Sequence, residues 1–177
     1  MIRPIRPMDF EQVRTIFFAT SAIQVFSSDD HRKQLEWKYL GWYLESQRPM
    51  FFVAEEPSPG ESTEEAKILG YIACCPDTKS ATELLSINPY LEIFSDLYDS
   101  YPAHLHINLA EASRGQGLGS QLIQHLEGIL RDQGIRGLHL VTSPDARNRS
   151  FYRKNGFHVE FVRPYKGTMM LFMGKSL

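Results

Sequence analysis

The segment Arg114-Gly115-Gln116-Gly117-Leu118-Gly119 constrains this chain more than any other stretch. Glycines at alternate positions accept positive φ and let backbone N–H groups come close to a ligand. An apolar run precedes the segment, His104-Leu105-His106-Ile107-Asn108-Leu109. An amphipathic pattern follows it from Gly117 to Gln133, with Leu122, Leu126 and Ile129 in one row and Ile123 and Leu130 beside it. Gly134 then stands where a helix commonly ends. The spacing therefore predicts a strand, a glycine turn and a helix N-terminus. Such a turn is an anion site, because oriented amides and the positive end of the helix dipole converge there. Arg114 adds a cation, so a phosphorylated ligand is expected.

Two phosphate loops are excluded by spacing. A P-loop requires Gly-Lys-Ser/Thr at its helix end, and none follows this segment. The dinucleotide fingerprint G-x-G-x-x-G fails because its third glycine position is Ser120, or Leu122 if counted from Gly117. The spacing R-x-x-G-x-G between a strand and a helix instead resembles the acyl-CoA pyrophosphate loop of the GNAT superfamily of N-acetyltransferases. A second motif, Asn148-Arg149-Ser150-Phe151-Tyr152-Arg153-Lys154-Asn155-Gly156-Phe157, is similar to the F-Y-x-K-x-G-F pattern that closes the fourth helix of that family. The two motifs with their preceding strands cover residues 103–158.

The resemblance implies a mixed α/β (α+β) GNAT-like fold, with a central sheet of about six or seven strands flanked by about four helices. It implies one acyltransferase domain over residues 1–177, with acetyl-CoA as co-substrate. Arg114, Gly115, Gln116, Gly117, Leu118, Gly119 and Ser120 would hold the pyrophosphate. Backbone groups of Ile107, Asn108 and Leu109 would pair with the pantetheine arm and aim the thioester, supplying proximity. Tyr152 matches the tyrosine that hydrogen-bonds the cofactor sulfur and acts as general acid. Asn148 offers an amide one helical turn before it, where the family asparagine position is occupied by Asp145.

The base is open. His104, His106 and Asn108 alternate along one strand and share a face. His106 is the candidate for amine deprotonation, and Glu111 is a lesser one. The two histidines have no third ligand at useful spacing, so no metal is expected. Tyr101-Pro102-Ala103-His104-Leu105-His106-Ile107-Asn108-Leu109 is also similar to the acetyltransferase-like domain at the C-terminus of O-GlcNAcases and in its bacterial relatives. Those carry aspartate at the position of Asn108, and asparagine cannot serve as a base. The resemblance thus implies direct attack of a primary amine on the thioester, the alternative being a catalytically silent domain that binds acyl-CoA or a protein. A small amine, an amino sugar, a peptide N-terminus and a lysine side chain all fit as acceptor.

Composition narrows the partners. The 177 residues are 42% hydrophobic and 23% charged, globular proportions for one domain. A net charge of −2 gives no reason to expect nucleic acid, and no basic run suggests an anionic membrane. No apolar run approaches the length of a bilayer span, and the start lacks a signal-peptide hydrophobic region. The adjacent Cys74 and Cys75 are expected to be packed, reduced thiols, in keeping with a cytoplasmic setting. A homodimer is compatible with the sequence but not indicated by it.

Elsewhere the pattern predicts a short strand at Met1–Arg6 and a helix capped by Asp9 with Val13, Ile16 and Phe17 inward. A loop is expected over residues 19–31, a helix over Gln34–Leu44, strands at Met50–Ala54 and Lys67–Cys75, and a solvated connector over Glu55–Ala66. Asn88-Pro89 would start a short helix carrying Leu91, Phe94, Leu97 and Tyr98, inserted before the central strand. Leu138–Val141, Val159–Val162 and Met169–Met173 would complete the sheet. Acceptor contacts are expected from residues 19–34, 77–102 and 163–168.

Overall fold

The computed structural model describes residues 1–56 and 66–177. Most of the connector expected over Glu55–Ala66 lies outside the described residues. Seven strands form one mixed sheet: β1 (Ile2–Pro4), β2 (Phe51–Glu55), β3 (Ile68–Cys75), β4 (Ala103–Leu109), β5 (Gly137–Thr142), β6 (Val159–Tyr165) and β7 (Thr168–Ser176), in the order β1-β2-β3-β4-β5-β7-β6. Six α-helices are present among the described residues: α1 (Phe10–Thr20), α2 (Asp29–Glu36), α3 (Trp42–Ser46), α4 (Thr82–Ile87), α5 (Leu118–Asp132) and α6 (Arg149–Lys154). The chain divides into two compact units, Met1–Cys74 with His106–Leu126, and Cys75–Leu105 with Glu127–Leu177.

In the first unit, β1 and β3 both run antiparallel to β2, through Arg3↔Val53 and Val53↔Tyr71. Pro4 is tolerated because β1 is an edge strand. Asp9 does not cap α1 as expected. Its carboxylate accepts from Arg3 at 2.7 and 2.9 Å and from the Arg6 amide at 2.7 Å, closing a 3-10 turn ahead of the helix. Arg3 also donates to Glu55 at 2.7 Å, so the buried guanidinium is paired on two sides. Val13, Ile16 and Phe17 of α1 face inward, as their spacing predicts.

The expected loop reaching His31 is shorter, because α2 begins at Asp29. Ser28 caps it by accepting from the His31 amide at 3.1 Å, and Asp29 and Asp30 oppose the helix dipole. None of the α2 side chains is buried, so the segment carries no apolar stripe to read. The helix then widens into a π turn over Trp37–Gly41, where Trp42 N–H donates to the Trp37 carbonyl, and resumes as α3. A Cβ on Gly41 would stand 2.8 Å from the Trp37 ring, so the indole lies flat on a bare backbone.

In the second unit, β4 pairs in parallel with β5 through Ala103↔Leu138 and His104↔His139. Then β5 and β6 both run antiparallel to β7. The β6–β7 hairpin turns on two residues, Lys166 at φ 47° and Gly167 at φ 82°, the signature of a primed turn. The inserted stretch before β4 holds α4, which the sequence reading did not anticipate, and a 3-10 helix over Pro89–Leu97 that starts where Asn88-Pro89 predicts. Its Leu91 and Phe94 are fully buried, and Tyr98 follows them inward. Arg163 on β6 holds this helix by a two-pronged pair with Asp96 and a bond to the Ile93 carbonyl.

His139 lies at the centre of this core with 0% exposure. Tyr98 and Phe172 stack on its two sides with centroids at 4.9 Å and interplanar angles of 21° and 16°. Nδ1 is 2.6 Å from the Tyr101 carbonyl, which makes it the protonated nitrogen, while Nε2 has no partner among the described residues. Burial pushes the imidazole down to about 3, against a small opposing effect of the carbonyl. Glu127 of α5 is also buried, and Lys175 of β7 neutralises it at 2.5 Å.

Candidate active site

The first unit carries the strand-turn-helix. Ala110 N–H donates to the Leu69 carbonyl at 2.9 Å, holding the end of β4 against β3. That approach needs Gly70, since a Cβ there would meet Leu109 Cδ2 at 2.4 Å and the Asn108 carbonyl at 2.9 Å. A 3-10 turn over Glu111–Ser113 then lifts the chain away, and α5 starts at Leu118.

Between them, Gly115 and Gly117 take φ 76° and 81°, and a Cβ at either would meet nothing within 4 Å. Their glycine character thus serves backbone conformation and leaves the outer side of the turn open. The first helical bond of α5 runs from Gln121 N–H to the Gly117 carbonyl at 3.1 Å. The amides of Leu118, Gly119 and Ser120 lie ahead of that bond and so have no acceptor within the helix. Gln116 steadies the turn by donating from Nε2 to the Ala112 carbonyl at 2.8 Å. Arg114 is exposed and pairs with no carboxylate among the described residues. Amides, helix terminus and an uncommitted guanidinium fit a pyrophosphate by charge and by donor count.

Further back on β4, Ile107, Asn108 and Leu109 are half-buried. The Asn108 carboxamide donates to the Tyr71 hydroxyl at 2.8 Å, and Tyr71 is fully buried against Phe51. His106 lies against two tyrosines of the segment expected to be helical over Gln34–Leu44. Its ring is 6.0 Å from Tyr39 at 30° and 6.2 Å from Tyr43 at 17°. The i, i+4 spacing of the tyrosines marks a helix face, but their histidine partner is legible only in three dimensions. His106 Nε2 is shielded from solvent and has no partner among the described residues. Burial alone pushes His106 down to about 4, so it is uncharged at neutral pH.

The second unit carries the other motif. Tyr152 on α6 is 6% exposed, with Phe151 and Phe157 edge-on at 5.2 and 5.8 Å. Asn148, just before the helix, donates from Nδ2 to the Tyr152 hydroxyl at 3.5 Å, a long contact. Burial pushes the phenol up, so it keeps its proton. Gly156 ends the helix at φ 90°, and the Phe157 amide bonds back to the Tyr152 carbonyl at 3.1 Å. Asp145 lies exposed in the preceding turn. Glu111 is exposed at the head of the loop. Among the described residues no group of three or more His, Cys, Asp or Glu could hold a metal, and no helix is long and apolar enough to cross a membrane.

Residues 11–157 match the acetyltransferase (GNAT) family. Solved structures with the same fold include SsHAT, with 20% identity, a TM-score of 0.74 and coverage of 99% of this chain and 97% of that one. The PaiA N-acetyltransferase of Thermoplasma acidophilum, in complex with coenzyme A, is 18% identical with a TM-score of 0.63 over 100% and 98% of the chains. The ribosomal-protein-alanine N-acetyltransferase of Brucella melitensis is 20% identical with a TM-score of 0.60 over 100% and 99%. GNAT acetyltransferases take acetyl-CoA as co-substrate, and the bare, glycine-shaped turn before α5 suits that cofactor's pyrophosphate. A family match spanning most of the chain and a seven-stranded mixed sheet agree: this protein belongs to the GNAT family of acetyltransferases.

Proposed function

We propose that the protein transfers the acetyl group of acetyl-CoA to a primary amine by direct attack, without a covalent acetyl-enzyme. One observation carries this: the open N-terminal amides of α5, beside the exposed Arg114, on a turn shaped by two positive-φ glycines whose outer side is bare. In this reading Arg114–Ser120 bind the pyrophosphate, and the backbone of Ile107, Asn108 and Leu109 lines the pantetheine arm. Tyr152 stays protonated because it is buried, and donates its hydroxyl proton toward the departing sulfur as general acid, with Asn148 orienting that hydroxyl. His106 accepts the amine proton. Cys75 is buried, and burial lifts its thiol to about 12, so it supplies no thiolate nucleophile.

The proposal extends to residues 1–177 acting as one acyltransferase domain in the cytoplasm, as a monomer or homodimer, with a likeness to the acetyltransferase-like domain of O-GlcNAcases on the wording of Tyr101–Leu109. One observation favours the alternative of a catalytically silent binding domain. Where that group carries aspartate, this chain has Asn108, tied to Tyr71. Calorimetric titration with acetyl-CoA and with desulfo-CoA tests the reading. Binding of both supports it, and thiol release with an amine then establishes the enzyme. A folded protein that binds neither refutes the cofactor site.

A further inference from the structure

Helix α6 carries Tyr152 and has only six residues, fewer than two turns, so it depends on its surroundings to keep its shape. At its C-terminal end Lys175 Nζ donates to the Asn155 carbonyl at 2.9 Å. The lysine stem lies so close there that a Cβ on Gly156 would stand 3.0 Å from Lys175 Cε. The flank of the helix is held by a single carboxylate. Glu160 on β6 accepts from Arg149 at 2.5 and 3.5 Å and from Arg153 at 2.6 and 2.9 Å, so both of its oxygens serve two guanidiniums of one helix. Its side chain is 17% exposed, against 33% and 52% for the two arginines.

These grips fall next to the proposed acid. Arg149 directly follows Asn148, and Arg153 directly follows Tyr152. Asn148 and Tyr152 are the residues whose side chains meet at the phenol, through the 3.5 Å contact from Nδ2. The carboxylate thus ties down the backbone beside each member of that pair. Without it, Arg149 and Arg153 are like charges at i and i+4, a combination that works against a helix. Arg153 has no other acceptor among the described residues, and Arg149 keeps a 3.5 Å bond to the Pro144 carbonyl. The Arg153 and Arg149 bonds hold the Glu160 carboxyl down at about 2, so the grip persists throughout the neutral range.

We infer that Glu160 is a positioning residue for Tyr152: by gripping Arg149 and Arg153 it seats α6 against β6 and so sets the place of the Tyr152 hydroxyl. Its consequence for catalysis rests on the acetyltransferase reading above, in which Tyr152 is the acid. A proton donor works within about 2.6–3.2 Å of its target, and a displacement of about 1 Å can cost on the order of a hundredfold in rate.

Fluorine NMR reads the phenol directly. In protein carrying 3-fluorotyrosine at its eight tyrosines, Tyr152→Phe identifies the Tyr152 signal by its loss. Glu160→Gln keeps the shape and removes the charge, and should shift or broaden that signal while thermal unfolding stays cooperative. Arg153→Gln, at a half-exposed position, removes part of the grip and should produce the same change at smaller size. Activity supplies the second reading, as thiol release from acetyl-CoA with hydroxylamine as acceptor, alongside calorimetric titration of acetyl-CoA. Glu160→Gln should lower kcat by about tenfold with the acetyl-CoA affinity unchanged. In a Tyr152→Phe background it should cost nothing further, because its effect passes through the hydroxyl. A general loosening of the fold would instead lower the rate by the same factor in both backgrounds. Equal factors, or a Tyr152 signal unmoved in both variants, would overturn the assignment. If hydroxylamine is not acetylated, or Tyr152→Phe is as fast as the parent, the result counts against the acetyltransferase reading, and the fluorine signal still decides whether Glu160 seats the phenol.

Discussion

Acid should destabilise this fold through His139 in particular, and the size of the effect follows from its surroundings. The imidazole is 0% exposed, enclosed by Tyr98 and Phe172, and neutral, with its basicity pushed from 6.5 to about 3. In the unfolded chain the same ring protonates near 6.5. Between the two values unfolding therefore takes up a proton, so stability is full above about pH 6.5 and declines as the pH drops toward 3. Each unit is worth about 1.4 kcal/mol, so His139 alone should withdraw about 2–3 kcal/mol by pH 4.5. That is a large part of a domain's usual 5–15 kcal/mol. Urea unfolding at pH 7.5 and pH 4.5 gives the loss directly, and His139→Phe keeps an aromatic ring in the stack without a titrating nitrogen. The variant forfeits the Tyr101 hydrogen bond at both pH values, which cancels in the difference. Its pH-dependent loss should be smaller than that of the parent by about 2–3 kcal/mol. Equal losses in the two proteins would show that His139 does not resist protonation.

Other substitutions probe single parts. Gly117→Glu places a charged side chain on a φ of 81° in the proposed pyrophosphate turn, and acetyl-CoA binding should be lost by calorimetry while the melting curve stays cooperative. Tyr152→Phe removes the hydroxyl and keeps the packing, so kcat should fall by about 10²-fold or more with little change in acetyl-CoA affinity, and an unaltered rate would take Tyr152 out of the mechanism. Among the described residues, Lys175→Met leaves Glu127, 4% exposed, with the longer 3.3 Å contact to Arg131, and denaturation should register a cost of about 3–5 kcal/mol.

Much of this was legible in the sequence because it rests on local rules. Leu122, Ile123, Leu126 and Leu130 repeat at helical spacing and are all fully buried on α5, and Gly134 closes it at φ 72°. The glycine turn was legible too, since positive φ leaves a compositional mark. The start of α2 was missed for the opposite reason: Ser28-Asp29-Asp30 is a fair capping signal, but no apolar stripe follows it. The π turn could not be read, because Leu35, Tyr39 and Tyr43 keep a regular spacing while the extra residue shows only in the Trp42 to Trp37 bond. The strand, turn and helix over residues 103–132 followed from motif spacing. The environments of His106, Asn108 and His139 did not, because Tyr39, Tyr43, Tyr71, Tyr98 and Phe172 reach them from distant stretches of chain.

The two-residue turn at Lys166-Gly167 makes Tyr165 and Thr168 the hydrogen-bonded closing pair of the hairpin. The next pair, Pro164 and Met169, is then a non-bonded one, so the backbone groups of Pro164 point away from β7 toward the open margin of the sheet. A proline there gives up no ladder bond and presents no amide to a passing strand. With Phe161 and Val162 exposed a few residues upstream, this margin would otherwise be a template for chains to stack edge to edge. One missing amide hydrogen interrupts that template.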